Sequence, residues 1–142
     1  MGEARDVMDR LTAAVMAGRA DEVSNLYAED ATVMTPDAGE VRGRDAITAY
    51  FNQFSQGFPD ASWEPLSTLE VSNTAIDEGY FIGTHTGPLE GPTGETIPPT
   101  GQQVRLRECD VATVENGRIT SHRFYFDQME FLEQLGLGAP RA

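Results

Sequence analysis

Hydrophobic residues in the amino-terminal half recur with helical spacing, interrupted once by a strand-like run. Apolar positions three and four apart from Ala4 to Met16 predict an amphipathic helix, which Gly18 ends. We expect a second, short helix capped by Asp21 and a third helix capped by Asp45. Between them, the run Ala31–Thr35 predicts a strand, and turn-forming residues follow it.

The carboxy-terminal half is strand-like except for its last segment. The predicted strands are Ala61–Val71, Ala75–Thr86, Gln103–Val114 and Arg118–Phe126. A glycine- and proline-rich loop covers residues 87–101, and Asp127 is expected to cap a final helix, Gln128–Leu135, which Gly136 ends. Helices followed by an antiparallel meander predict an α+β fold and one domain over residues 1–142, rather than a doubly wound sheet.

The hairpin between the last two predicted strands decides which side chains share a face of the sheet. Asn116 and Gly117 mark a tight turn, but two geometries compete. A two-residue type I′ turn pairs Glu115 with Arg118, whereas a type I turn with a glycine bulge pairs Val114 with Arg118. A slip of one residue turns every side chain to the other face. We favour the bulged form because it keeps the large apolar side chains together.

The bulged register places Asp110 opposite His122 and Glu108 opposite Phe124. The apolar side chains on the same face are Leu106, Ala112, Val114, Phe124 and Phe126. Buried charges are costly unless they are paired or hydrogen-bonded. An Asp–His pair on an apolar face is therefore a candidate acid/base site with shifted pKa values.

Composition narrows the classes of partner. Twenty-three acidic residues against ten arginines and no lysine give a net charge of -13, which argues against nucleic acid or an anionic membrane as partner. The single cysteine, Cys109, excludes an intramolecular disulfide and a multi-cysteine metal site. No signal peptide or membrane-spanning stretch is evident, so we expect a cytoplasmic protein. We find no metal-ligand spacing or dinucleotide fingerprint and expect no metal or cofactor.

Several motifs in order give the chain a family resemblance. They are AGRADEV and YAEDATV within residues 17–33, VRGRDAITAYF at 41–51, GTHTGPLEG and PPTG within 83–101, ENGRI at 115–119 and FDQMEFLEQLGL at 126–137. With these motifs the chain resembles the SnoaL-like polyketide cyclases of the nuclear transport factor 2-like superfamily. The resemblance implies a cone-shaped fold, in which helices close a strongly curved antiparallel sheet around one apolar pocket. It also implies a homodimer through the outer sheet face and ring closure by aldol chemistry without a cofactor.

The catalytic residues of these cyclases carry over only in part. By resemblance, the acid/base aspartate of the last strand falls on Phe124, and the asparagine of the first strand falls near Val33 or Met34. A polar pair on the preceding strand, an amide and a histidine, falls on Glu108 and Asp110. The fold is therefore expected to transfer more completely than the mechanism.

The similar ketosteroid isomerases give a second comparison. By resemblance, their general-base aspartate falls on Thr35 and their oxyanion tyrosine on Leu11, so both groups are absent. Their protonated aspartate aligns with Asp110. Two groups of relatives thus place a functional polar side chain at this position.

We assign roles to the candidate residues accordingly. His122 is expected to move protons, with Asp110 orienting it and Glu108 or His85 assisting. Asp37 is interpreted as a turn former, and Cys109 as a residue of the outer face. The residues expected to line the pocket are His85, Phe124, Phe126, Leu106, Tyr27, Tyr50, Trp63, Tyr80 and Met34.

These assignments favour a cofactor-independent cyclase or isomerase acting on a small hydrophobic, polyketide-like intermediate. Two alternatives remain open. Phe124 in place of the family's aspartate favours a non-catalytic module that binds a small molecule. Epoxide hydrolysis, as in the limonene epoxide hydrolases that resemble this fold, would need two carboxylates and an arginine around one water.

Overall fold

The computed structural model describes residues 2–91 and 94–138. Its elements, in chain order, are α1 (Glu3–Ala17), α2 (Ala20–Leu26), β1 (Tyr27–Thr35), β2 (Gly39–Arg42), α3 (Arg44–Gly57), β3 (Ser62–Val71), β4 (Thr74–Thr84), β5 (Leu89–Glu90), β6 (Thr96–Ile97), β7 (Gln103–Glu115), β8 (Arg118–Phe126) and α4 (Gln128–Gln134). The α+β class is confirmed. Residues 92 and 93, part of the loop predicted over 87–101, lie outside the described residues.

Six strands form one curved sheet in the order β2-β1-β8-β7-β4-β3. Neighbouring strands are antiparallel except β1 and β8, which run parallel with Val33 beside His122. The sheet is therefore mixed, which corrects the expectation of an antiparallel one. At the end of the meander, β8 runs in the same direction as β1 and has one free edge. β1 pairs with β8 along this edge. This pairing brings the first strand next to the last, so residues distant in sequence meet on one face.

The helix boundaries differ slightly from those predicted. Gly18 ends α1 in the left-handed conformation, at φ +70°, as expected. The predicted caps at Asp21 and Asp45 are wrong, because α2 begins at Ala20 and α3 at Arg44. Both aspartates lie in the first helical turn instead, where a negative charge still interacts favourably with the helix dipole.

Four strands were absent from the prediction or began elsewhere. β1 starts at Tyr27 rather than Ala31, because an irregularity between Tyr27 and Thr32 interrupts the alternation on which the prediction relied. β2 occupies part of the predicted turn after β1. β5 and β6 form a two-stranded hairpin within the predicted loop. Short edge strands carry too little hydrophobic pattern to be recognised.

The β7–β8 hairpin has a type I′ turn, so the favoured type I turn with a glycine bulge is wrong, and a separate bulge lies further along the strands. Glu115 pairs with Arg118, and Asn116 and Gly117 between them have φ of +53° and +77°, as a type I′ turn requires. The bulge lies beyond the turn, where Thr120 has no partner in the register of β7. The Thr120 hydroxyl donates to the Thr113 carbonyl at 3.4 Å.

This geometry corrects the predicted pairs but retains the predicted face. The pairs beyond the bulge are Glu108 with Phe126, Asp110 with Phe124 and Ala112 with His122. Each partner differs from the predicted one by two residues. Because strand side chains alternate with a period of two, this shift leaves Glu108, Asp110 and His122 on the same face. The bulge thus restores the parity that the type I′ turn alone would have reversed.

Helices α1, α3 and α4 cover the inner face of the sheet. Arg5 of α1 forms a buried ion pair with Asp77 of β4, with Nη2 2.7 Å from Oδ1. The Glu70 carboxylate of β3 accepts the backbone N–H groups of Gly2 and Arg5 at 3.1 and 2.9 Å. These contacts fix the start of α1 against β3 and β4. Among the described residues, no helix is long and apolar enough to cross a bilayer.

Candidate active site

A cavity lies between the helices and the inner face of the sheet. Side chains from α1, α3 and α4 form one side of it, and Leu106, Phe124 and Phe126 lie on the other. The volume of this cavity is about 60 Å³. Glu108, Asp110 and His122 bring polar groups to this mostly aromatic and aliphatic surface, as the sequence predicted.

His122 lies between two hydrogen-bond partners. Its Nδ1 is 2.7 Å from the Tyr27 hydroxyl, and its Nε2 is 2.6 Å from Oδ1 of Asp110. His122 and Tyr27 are almost fully buried, whereas 16% of the Asp110 side chain is exposed. Both ring nitrogens are therefore occupied, and Asp110 is the member of this chain of hydrogen bonds with the greatest access to the cavity.

The proton positions follow from the burial of Tyr27. Burial raises the pKa of Tyr27 well above its ordinary value, and the nearby charge of Asp110 raises it further. The hydroxyl thus keeps its proton and donates it to Nδ1. The proton of the ring then lies on Nε2 and is donated to Asp110.

Aromatic packing holds the His122 ring in this orientation. Phe51 of α3 stacks on it with centroids 5.8 Å apart and planes 15° apart. The Tyr27 ring lies 6.1 Å away at 16°, and Phe124 is tilted against it at 6.3 Å. A ring packed among three others has little freedom to rotate, so its two hydrogen bonds are geometrically fixed.

Glu108 is the second carboxyl group of the cavity, and its environment differs from that of Asp110. The residue is 8% exposed, and its side chain has no hydrogen-bond partner among the described residues. Burial raises the pKa of Glu108 well above its ordinary value, and the charges of Asp110 and Asp37 raise it further. These effects favour a protonated carboxylic acid that faces an apolar cavity. Such a group can donate a hydrogen bond or a proton.

The close approach of Trp63 to the sheet requires Gly79. On β4, Gly79 lies opposite Glu108, and a Cβ there would be 2.6 Å from the Trp63 ring. The Trp63 indole thus occupies the space that a side chain at position 79 would need, and it lines the cavity as predicted.

Asp37 forms a contact that the sequence analysis missed. The Tyr50 hydroxyl donates to Oδ1 of Asp37 at 2.8 Å, so Tyr50 points to the turn after β1 and does not line the cavity as predicted. Asp37 is also close enough to Glu108 to raise its pKa. Asp37, predicted only as a turn former, is thus a third carboxyl group near the site. Local sequence gives no signal for this contact, because it depends on how α3 packs over β1.

His85 is not in the cavity, contrary to prediction. Its Nδ1 accepts the Thr100 backbone N–H at 3.2 Å and is 2.9 Å from the Thr100 hydroxyl, while its ring packs on Phe58 at 5.4 Å. Burial lowers the pKa of His85, and a backbone hydrogen bond with Gly87 partly offsets the effect. His85 therefore ties the segment after β4 to the segment before β7.

Three other predicted lining residues also lie elsewhere. Tyr27 is behind His122 rather than on the cavity surface. Tyr80 is on the outer face of β4, with the Arg105 guanidinium 3.7 Å from its ring centre. Met34 is 47% exposed, because the adjacent Val33 takes the inward position on β1. Side chains alternate between the inner and outer faces along β1 and β4, so the bounds of these strands are enough to tell which residues face the cavity.

The helices contribute lining residues that the prediction omitted. Leu11 lies on α1, Phe51 and Phe54 on α3 and Phe131 on α4. Their helical spacing was visible in the sequence, but the spacing does not show whether an apolar face meets solid core or a cavity. Among the described residues, no group of three or more potential ligands could hold a metal ion. Burial raises the pKa of Cys109, which disfavours its thiolate.

A curved sheet closed by helices around a cavity defines a class of α+β folds. A sequence model of the SnoaL-like polyketide cyclases matches residues 5–135, and the chain belongs to this family. A search of curated protein sequences finds no match.

Solved structures support the same fold. A protein from Jannaschia sp. CCS1 that is assigned to the SnoaL-like polyketide cyclases has a TM-score of 0.82 at 16% identity, with 97% of this chain and 94% of that chain covered. IdmH from Streptomyces antibioticus, assigned as a polyketide cyclase, has a TM-score of 0.77 at 22% identity, with 95% and 99% covered. AclR from Streptomyces galilaeus, assigned as a hydroxylase, has a TM-score of 0.80 at 20% identity, with 99% and 84% covered. At these identities the likeness concerns the fold alone.

Proposed function

We propose that this protein is an acid/base catalyst that cyclises or isomerises a small hydrophobic, polyketide-like molecule without a cofactor. The observation that carries the proposal is the pair of unlike carboxyl groups in one apolar cavity. Asp110 is hydrogen-bonded to His122, whereas Glu108 is buried and has no hydrogen-bond partner in the part of the chain that the structure describes. A carboxyl group held by an imidazole and a buried carboxyl group that keeps its proton can act as base and acid in the same reaction.

We assign the proton-accepting role to Asp110 and not to His122. Both nitrogens of His122 are occupied by Tyr27 and Asp110, so the imidazole has no free nitrogen for a ligand. Asp110 uses Oδ1 for His122 and keeps Oδ2 for the cavity. The Tyr27–His122 pair then orients the carboxylate and stabilises its charge, which reverses the roles expected from the sequence.

The chemical step is a balanced proton transfer. Asp110 takes a proton from the carbon next to a ligand carbonyl, and the electrons of the broken C–H bond form an enolate. Glu108 donates its proton to the enolate oxygen. In an isomerisation, Asp110 returns its proton at a different carbon as Glu108 recovers its own. In a cyclisation, the enol carbon attacks a second carbonyl of the same molecule, the new alkoxide takes the proton from Asp110, and Glu108 recovers its proton from the enol oxygen as the first carbonyl re-forms.

The shape of the cavity supplies a further contribution. Aromatic side chains on several sides hold a flexible ligand folded and exclude water from the carboxyl groups. Bringing two reacting carbons of one molecule together lowers the entropic part of the barrier. A site that folds its substrate needs less from its acid and base, which makes Phe124 at the family's aspartate position compatible with catalysis.

The test is proton exchange on a small cyclic ketone. With 3-cyclohexen-1-one in D2O, wild-type protein should accelerate deuterium uptake next to the carbonyl and the formation of the conjugated isomer, both followed by NMR. Asp110→Asn should reduce the rate at least ~100-fold and Glu108→Gln ~10- to 100-fold, in the range of general acid–base contributions. A wild-type rate no greater than that of Asp110→Asn would overturn the proposal.

A binding module is the second candidate, and Phe124 favours it. In that case the cavity holds its ligand without proton transfer. The same NMR samples distinguish the two, since a pure binding module would shift the probe resonances without exchanging its protons. Epoxide hydrolysis has less support, because no arginine lines the cavity among the described residues and the buried Arg5 is paired with Asp77.

We further propose that two copies of the chain associate through the outer face of the sheet. No described helix packs on this face, which exposes half of Tyr125. It also carries both signs of charge, as in the Arg105–Glu64 pair at 2.9 Å, so a second copy related by a twofold axis can be complementary. Sedimentation equilibrium should give a dimer mass, and Tyr125→Arg should give a monomer mass. A monomeric wild-type chain would contradict the proposal.

A further inference from the structure

An open groove adjoins the cavity on the side of α4. It lies between the turn after β1, α3, the β5–β6 hairpin and α4, and we name it the outer groove. Its lining includes Asp37, Gln53, Leu89, Glu90, Ile97 and Gln128. The volume of the outer groove is about 250 Å³, about four times that of the cavity.

The outer groove and the cavity share two aromatic side chains. Phe54 and Phe131 line both spaces, and their ring centres are 6.4 Å apart. The partition between the two spaces thus consists in part of these two rings. Helix α4 itself is anchored, because the Gln134 side chain exchanges two hydrogen bonds with the Arg105 backbone, at 2.7 and 3.0 Å. Phe54 is only partly buried, so its ring is the part of the partition that a ligand can displace while α4 stays in place.

The chemistry of the outer groove differs from that of the cavity. Its polar side chains are two carboxylates, Asp37 and Glu90, and two amides, Gln53 and Gln128. No arginine or histidine is among the described residues that line it, and the chain contains no lysine. These groups offer acceptors to a hydrogen-bond donor, whereas an anionic group would face two negative charges.

We propose that the outer groove is a second subsite for the ligand of the cavity. The ligand is longer than the cavity: its apolar end lies against Glu108 and Asp110, and its other end carries an uncharged or cationic hydrogen-bond donor. The proposal rests on the proposed function for the identity of the inner site, and it adds the length and polarity of the substrate. A cavity of about 60 Å³ is too small for a fused polycyclic molecule, so part of such a ligand must lie outside it.

Three probes that share a phenyl ring and a four-carbon chain test the polarity. They are 4-phenylbutylamine, 4-phenylbutanol and 4-phenylbutyrate, and binding is followed by the fluorescence of Trp63, the single tryptophan, which lines the cavity. We expect the amine to bind at least ~10-fold more tightly than the carboxylate, with the alcohol between them. Benzylamine and phenylacetate, whose chains are too short to cross the partition, should differ less. Equal affinities across the long series would overturn the proposal.

Charge variants separate the subsite from the general negative charge of the protein. Glu90→Gln should reduce the amine-to-carboxylate affinity ratio at least ~3-fold. Glu29→Gln removes the same charge from an exposed site on β1, outside the outer groove, and should leave the ratio nearly unchanged. If both variants reduce the ratio equally, the preference comes from net charge and the subsite is wrong. None of the long probes contains a carbonyl with an acidic C–H bond that Asp110 must attack, so this result is independent of the exchange test on 3-cyclohexen-1-one.

Discussion

His122 and Asp110 form a 2.6 Å hydrogen bond although the β7–β8 register sets His122 opposite Ala112. The contact is diagonal, between side chains two positions apart on the same face. Diagonal neighbours are within reach of long side chains, and the bond places the Asp110 carboxylate over the cavity side of the imidazole. The pleat of the sheet therefore brings the Asp110 and His122 side chains together. The Tyr27 hydroxyl, on the parallel strand β1, is the third member of the site.

Removing the Tyr27 hydroxyl should uncouple this chain of hydrogen bonds. Tyr27→Phe leaves Nδ1 of His122 buried without a donor, which costs about 1–3 kcal/mol of folding free energy. The exchange rate should fall ~10-fold because Asp110 is less well held, and the ¹⁵N resonances of His122 should move. Tyr50→Phe is the matched control, since it also removes a buried hydroxyl but should leave the His122 resonances in place. Unchanged His122 resonances in Tyr27→Phe would contradict the assignment.

Local signals explain the parts of the fold that could be predicted. The apolar spacing of α1, the glycine at its end and the Asp127 cap, which accepts the Glu130 N–H at 3.1 Å, are all properties of neighbouring residues. The bounds predicted for β8 agree with the structure for the same reason. Each of these features is complete within one turn or one strand, so the sequence contains all of the information.

Long-range contacts explain the parts of the fold and of the site that could not be predicted from the sequence. Tyr27 and His122 are 95 residues apart and meet only because β1 pairs with β8. Thr120 has the β-branched side chain typical of regular strands, so nothing at that position marks a bulge. The inward face of Glu108, Asp110 and His122 was nevertheless predicted, because grouping the apolar side chains fixes the parity even when the exact partners are wrong.

Glu108 should make the stability of the protein depend on pH. Its folded-state pKa is raised above the ordinary 4.5, so between these two values the unfolded chain loses a proton that the folded protein retains. The contribution of Glu108 to stability is fully present below about pH 4.5 and declines by up to about 1.4 kcal/mol per pH unit as the pH rises.

Glu108→Gln removes this titration and should therefore gain stability relative to wild type as the pH rises from 4.5 to 7. Urea denaturation at several pH values measures the difference between the two proteins. Titrating groups such as Asp77 are present in both proteins and largely cancel in the difference. Parallel stability profiles across this range would show that the folded-state pKa of Glu108 is not raised.

The buried ion pair between Arg5 and Asp77 should contribute more to folding than an exposed one. Arg5→Met leaves the Asp77 carboxylate buried without its partner and removes the link between α1 and β4. We expect a loss of about 3–5 kcal/mol in the free energy of unfolding. Arg19→Met is the control, because Arg19 pairs with Glu22 at 3.7 Å with both side chains exposed. Similar losses in the two variants, measured by urea denaturation, would contradict this ranking.

The Thr120 bulge should make one position of β8 tolerant of deletion. Deleting Thr120 removes the residue without a partner, so Ile119 still pairs with Val114, Ser121 with Thr113, and His122 still faces the cavity. Deleting Arg123 from the regular part of β8 instead turns every following side chain, Phe124 first, to the opposite face. The Thr120 deletion should therefore fold, with His122 resonances close to those of wild type and a stability loss of about 1–2 kcal/mol. The Arg123 deletion should fail to give a cooperative unfolding transition. If the Thr120 deletion is the less stable of the two, the bulge does not set the face of the site.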